Sequence, residues 1–161
     1  MGIVLRPVDD NDGNITLRAA DVLPTTSTDD IFIVSDGYCT VHLMCGFVES
    51  DLSSDNNSIK IWHVVEGDDP NTDRTRLCEW QYIAGDPVGQ IYSLPNGTEQ
   101  KLAAAYGKMP SRATIGQGGL LIAPGTIFIE CDGTSGTGTV SWDIRWSPLD
   151  PPGNGIIEAA P

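Results

Sequence analysis

Two histidines, four cysteines and a scatter of carboxylates are the residues of this 161-residue chain best able to do chemistry. His42 lies between Val41 and Leu43, and His63 shares a strand face with Ile61 and Val65, so both read as packed or edge residues of strands. Neither belongs to an HxH, an HExxH or a His/carboxylate cluster, the spacings that converge on a transition metal. Cys39, Cys45, Cys78 and Cys131 form no CxxC pair, and each sits in or beside an apolar segment, which predicts buried, reduced thiols. A nucleophilic Cys45–His42 pair is disfavoured because residues three apart on a strand face opposite ways. There is no G-x-S-x-G elbow, and "GQGGL" at 116–120 lacks both the P-loop lysine and the dinucleotide-binding spacing. Glu49, Glu66, Glu79, Glu99 and Glu130 supply carboxylates without a pattern; Glu79 and Glu130 lie opposite apolar strand faces, where solvent exposure is expected. No catalytic residue, cofactor site or metal site is therefore assigned.

Three loops, "DDNDGN", "DLSSDNN" and "GDDPNTD", carry hard oxygen ligands of the kind calcium takes. None fits an EF-hand: with Gly13 at the loop's glycine, Val8 stands where the first Asp belongs. Turn formation and solubility account for these residues. With 9 Lys and Arg against 22 Asp and Glu, the net charge is −13, which argues against non-specific binding of nucleic acid and of anionic membranes. No apolar run approaches the roughly 20 residues of a membrane span. "MGIVLRPVDDNDG" is too short in apolar residues for a secretory leader, so synthesis and folding in a cytoplasm are expected.

The elements that would position these groups are mostly strands. Ile127, Ile129 and Cys131 alternate with polar or outward residues, as do Val140, Trp142, Ile144 and Trp146, around the soft stretch "DGTSGTG". That pattern reads as a hairpin, and "IFIVSDGYCTVHLMCGF" reads as another with Asp36-Gly37 at its tip. Further strands are expected in "SIKIWHVVEG", "RLCEWQYIAG" and "QIYSL", and at most one or two short helices around residues 98–106, in "TEQKLAAAYG". The fold class is all-β, an antiparallel β-sandwich of jelly-roll type. Residues 1–147 form its single domain with an extended N-terminal segment, and 148–161 form a Pro/Gly-rich C-terminal arm with Pro148, Pro151 and Pro152.

Trp62, Trp80, Trp142 and Trp146 could line a sugar platform. Trp142 and Trp146 share the face of Val140 and Ile144, so core or subunit-interface packing is preferred for them. The interface candidates are Ile3, Val4 and Leu5 at one end of the chain, Trp142 and Trp146, and Ile156 and Ile157 at the other.

The stretch "LLIAPGTIFIECDGTSGTGTVSWDIRWSPLD" resembles the last hairpin of small β-sandwich virion proteins of tailed bacteriophages, among them head decoration (cement) proteins. The shared features are an apolar-Pro-Gly lead into a strand, a Gly/Thr/Ser-rich tip, and a closing aromatic strand that ends near "SPLD". The resemblance covers about a fifth of the chain. It implies a non-enzymatic structural role on the outer capsid surface, with the major capsid protein and further copies of itself, often as a trimer, for partners. It carries no catalytic residue over. A carbohydrate-binding module using exposed aromatics, or a soluble β-sandwich enzyme domain, are the alternatives; the first needs an exposed aromatic row and the second converging polar groups in a cleft.

Overall fold

The computed structural model describes residues 13–52, 58–94, 103–106, 119–133, 137–149 and 154–161. Among them are the strands β1 (Asn14–Val22), β2 (Ser27–Ser35), β3 (Cys39–Ser50), β4 (Ser58–Val65), β5 (Arg74–Arg76), β6 (Gln81–Tyr82), β7 (Gln90–Ser93), β8 (Ala103–Tyr106), β9 (Leu120–Ile122), β10 (Gly125–Asp132), β11 (Thr139–Pro148) and β12 (Ile156–Ala159). No described residue is helical. The strands build two antiparallel sheets. One runs β1-β11-β3-β7-β8, with β9 also on β3; the other runs β12-β2-β10-β4-β5, with β6 also on β4.

Successive strands alternate between the sheets from β1 to β4, and again from β10 to β11, which makes the sandwich a jelly roll. Its core holds the inward residues that the period-2 pattern selects, Ile59 and Ile61 of β4, Ile127 and Ile129 of β10, and Val140, Trp142, Ile144 and Trp146 of β11, together with Val41 and Met44 of β3, which both face inward because the register with β11 shifts between them. Gly46 lies opposite Trp142 across β3 and β11, and a Cβ there would come within 2.7 Å of the indole, so the missing side chain is what lets the ring lie flat in the core.

Both expected hairpins are instead arches between the sheets. β2 and β3 lie in different sheets, as do β10 and β11; β10 pairs with β2 and β4, and β11 with β1 and β3. Alternation fixes a strand's inner face but not its neighbour, and links of three residues between β2 and β3 and six between β10 and β11 are long enough to span the ~10 Å between stacked sheets. Asp36 does take a positive φ of 61° at the turn, as an Asp-Gly pair allows. The expected helix is also corrected. Residues 103–106 of that segment form β8, paired with β7 from Ser93↔Ala103 to Gln90↔Tyr106, so an available sheet edge overrides the helix preference of alanine. The start of the segment lies outside the described residues.

Of the stretch expected as an extended arm, Pro148 closes β11 and residues 156–159 form β12 on the edge of this chain's own sheet, paired with β2 from Ile156↔Ser35 to Ala159↔Phe32. Ile157 and Ala160 are buried there. The seam between the β1 and β12 edges is closed by side chains: Trp146 Nε1 donates to Thr16 Oγ1 at 3.0 Å, and Thr16 Oγ1 donates to the Ile157 carbonyl at 2.6 Å. Arg18 of β1 reaches Asp29 of β2 at 2.8 Å along the same seam.

Candidate functional site

The outer face of the β2-β10-β4 sheet carries a layer of its own. Lys60, Trp62 and Val64 alternate outward on β4, and Phe128 and Glu130 outward on β10, in the cross-strand pairs Phe128↔Trp62 and Glu130↔Lys60. Glu130 also faces Thr28 of β2. The Lys60 ammonium lies 5.1 Å from the Trp62 ring centre and 4.9 Å from that of Trp80, and the Arg74 guanidinium lies 3.9 Å from the Trp62 ring centre. The result is a row in which cations and indoles alternate: Trp80, Lys60, Trp62, Arg74.

Two carboxylates tie the row together. Glu79 takes Lys60 at 3.2 Å and Arg76 at 2.9 Å. Glu130 accepts from Trp62 Nε1 at 2.6 Å and pairs with Arg74 at 3.3 Å. The backbone N–H of Trp80, followed by the Lys60 ammonium, holds the Glu79 carboxyl below its ordinary range. Sequence reasoning placed Glu79 and Glu130 in solvent; both are partly covered because the cations facing them come from neighbouring strands. Lys60 is 8% exposed, so its charge is held almost dry between two rings and a carboxylate. The signal for this row was the same-face pair Lys60 and Trp62 in "KIW".

Beside Trp80 a groove of about 230 Å³ opens at the end of the sandwich where β2 begins and β10 ends. Thr26, Ser27, Thr28, Trp80, Glu130 and Asp132 line it. Thr26 holds a positive φ of 43° at its lip and donates to the Gly133 carbonyl at 2.8 Å.

The opposite end is apolar. Tyr38, Val65, Leu121, Leu149 and Ile156 are five of the eleven large hydrophobic residues that stand exposed among the described residues, and all lie on the turns and strand ends gathered there. These loops are stitched to one another: Leu149 N–H donates to the Tyr38 carbonyl at 3.1 Å, and Glu66 N–H to that of Pro124 at 3.0 Å. Gly125, at φ +153°, packs so closely on β4 that a Cβ would meet the Val64 carbonyl oxygen at 2.0 Å. A groove of about 360 Å³ lined by Ile33, Val65, Glu66, Asp68 and Thr126 continues this end along the outer face. The other end exposes Val22, Tyr82 and Val88.

The interface candidates divide. Trp142, Trp146 and Ile157 bury their surfaces in this chain's own core, because they point inward on their strands; Ile156 points out and is 40% exposed. Ile3, Val4 and Leu5 lie outside the described residues. His42 bonds Ser147 through Nε2 at 2.8 Å on the surface, while His63 is buried with Nε2 3.0 Å from the Ala123 carbonyl, and burial lowers its pKa. The four cysteines are free and buried. Burial pushes Cys45 and Cys131 up to about 12 and Cys78 to about 11, far from the thiolate a nucleophile needs. Among the described residues no three His, Cys, Asp or Glu side chains are grouped to hold a metal. In the "GDDPNTD" loop, Asp69 Oδ1 accepts from the backbone and side-chain amides of Asn71, the work of a turn former.

No protein-family model, no curated protein and no solved structure matches the chain.

Proposed function

We propose that this protein is a non-enzymatic structural component of a virion, a decoration protein that is made in the host cytoplasm and seats its apolar end on the outer surface of a capsid. The observation that carries this reading is the collection of Tyr38, Val65, Leu121, Leu149 and Ile156 at one end of a rigid jelly roll. Exposed apolar residues gathered at one end of a domain offer a docking surface. The stitched loops that present it have little freedom left to lose on binding, which preserves affinity. The net charge of −13 keeps the rest of the surface away from nucleic acid and from other particles of like charge. The phage resemblance of the C-terminal stretch adds the capsid as partner and the trimer as the assembled form.

The test is co-sedimentation with expanded, undecorated capsids of a tailed phage. The intact protein should pellet with the capsids. Tyr38→Ser combined with Leu149→Ser should leave it in the supernatant, with thermal unfolding unchanged because both side chains are already exposed. An intact protein that never pellets, or a double variant that pellets equally well, would show the reading to be wrong.

A further inference from the structure

We infer that the groove beside Trp80 is a binding site for a single neutral sugar ring, at the end of the sandwich opposite the apolar one. Every group a pyranose needs converges there. Trp80 offers an indole for stacking, Glu130 and Asp132 offer carboxylates that accept from ring hydroxyls, the Thr28 hydroxyl can donate or accept, and the Thr26 and Ser27 hydroxyls, which already donate to backbone carbonyls, can accept. Thr26, Thr28, Trp80 and Glu130 are fixed before any ligand arrives. Thr28 and Glu130 are cross-strand partners, Glu130 is tied to Trp62 and Arg74, and Trp80 is held by the buried Lys60 ammonium and by its own N–H to Glu79. Thr26 keeps its positive φ, a conformation that persists only where the surroundings over-determine it.

The charges select the class of ligand. An anion would meet Glu130 and Asp132. A cation suits carboxylates, but the indole it would stack on already carries the Lys60 ammonium at 4.9 Å, and a second positive charge on the same ring is repelled by the first. A neutral polyhydroxylated ring escapes both penalties. The volume of about 230 Å³ falls below the ~300–1,000 Å³ of drug-sized pockets, so the groove takes one ring and leaves the rest of an oligosaccharide in solvent.

Calorimetric titration of the full chain with glucose, galactose, mannose, N-acetylglucosamine and their β-linked disaccharides tests the inference. At least one of these sugars should bind saturably, with each disaccharide binding no more than a few fold better than its monosaccharide. Asp132→Ala alters an exposed side chain and leaves the fold alone; it should weaken binding about tenfold, the typical loss for one hydrogen bond to a charged group. Trp80→Ala should abolish it. The inference is overturned if none of these sugars binds, if Asp132→Ala and Trp80→Ala bind as the parent does, or if tetramethylammonium binds where no sugar does. Capsid co-sedimentation reads the other end of the molecule, so failure there leaves this result standing.

Discussion

The two ends of the sandwich solve the problem of an exposed surface in opposite ways. At the β2–β3 turn the chain leaves Tyr38, Leu121 and Leu149 half in water and fixes the backbone beneath them with main-chain hydrogen bonds and close glycine contacts. At the groove end, apart from the positive φ of Thr26, it is the side chains that are fixed, by cations set against indoles and carboxylates. Apolar contact has no direction, so a docking end needs only a firm shape. Recognition by hydroxyls and carboxylates is directional, so each polar group at the groove needs its own support.

The largest way to break this contrast is at the docking end. Gly125→Val would place side-chain atoms against the Val64 carbonyl in a conformation that valine avoids. It should cost at least ~3 kcal/mol, or prevent folding, by denaturant titration. Removing residues 154–161 comes next. These residues belong to the stretch 148–161 that the sequence reads as an arm, but Ile157 and Ala160 are core residues and β12 covers the edge of β2. Burial of Ile157 alone contributes about 1.5–3 kcal/mol, so the truncated protein should unfold at clearly lower denaturant concentration.

Lys60→Met separates the two ends. It removes the charge between the indoles while leaving Glu79 paired with Arg76. The expected loss is about 1–2 kcal/mol, with a shift of the tryptophan emission maximum and no change in capsid pelleting. A variant that altered pelleting would mean that the ends are coupled. The gentlest perturbation is pH. Burial lowers the pKa of His63 from its ordinary 6.5, so the unfolded chain binds the proton first and stability falls as pH drops from about 6.5 through the folded value. Melting temperatures should decline over that window, and His63→Gln, which keeps a donor toward Ala123, should flatten the decline. An unchanged slope would assign the dependence to other groups.

Much of the fold was legible in the sequence. The alternation in β4, β10 and β11 names the core residues correctly, because one face of each strand is buried and the period is two. Strand partners were not legible: nothing local distinguishes a hairpin from an arch, and both expected hairpins proved to be arches. Helix propensity misled at residues 103–106, where β7 offered an edge. The site was half legible. Trp62 and Trp80 stood out as aromatics, but their value lies in Lys60, Arg74 and Glu130, which reach them from three strands and the contacts between them. Only the sheet order brings those together.

That sheet order also sets a clock. β11 lies between β1 and β3, and β10 lies between β2 and β4, so each sheet lacks an interior strand until residues 125–148 exist. Asn14 finds Trp146 across nearly the whole chain. Pairings so distant in sequence place folding in the millisecond-to-second range, and a ribosome adding about 5–20 residues per second exposes the unpaired edges of β1, β2, β3 and β4 for several seconds before their partners emerge. The polar and charged residues along β1 and at the start of β2 then have a second use: they keep the half-made chain from pairing with its neighbours on the polysome.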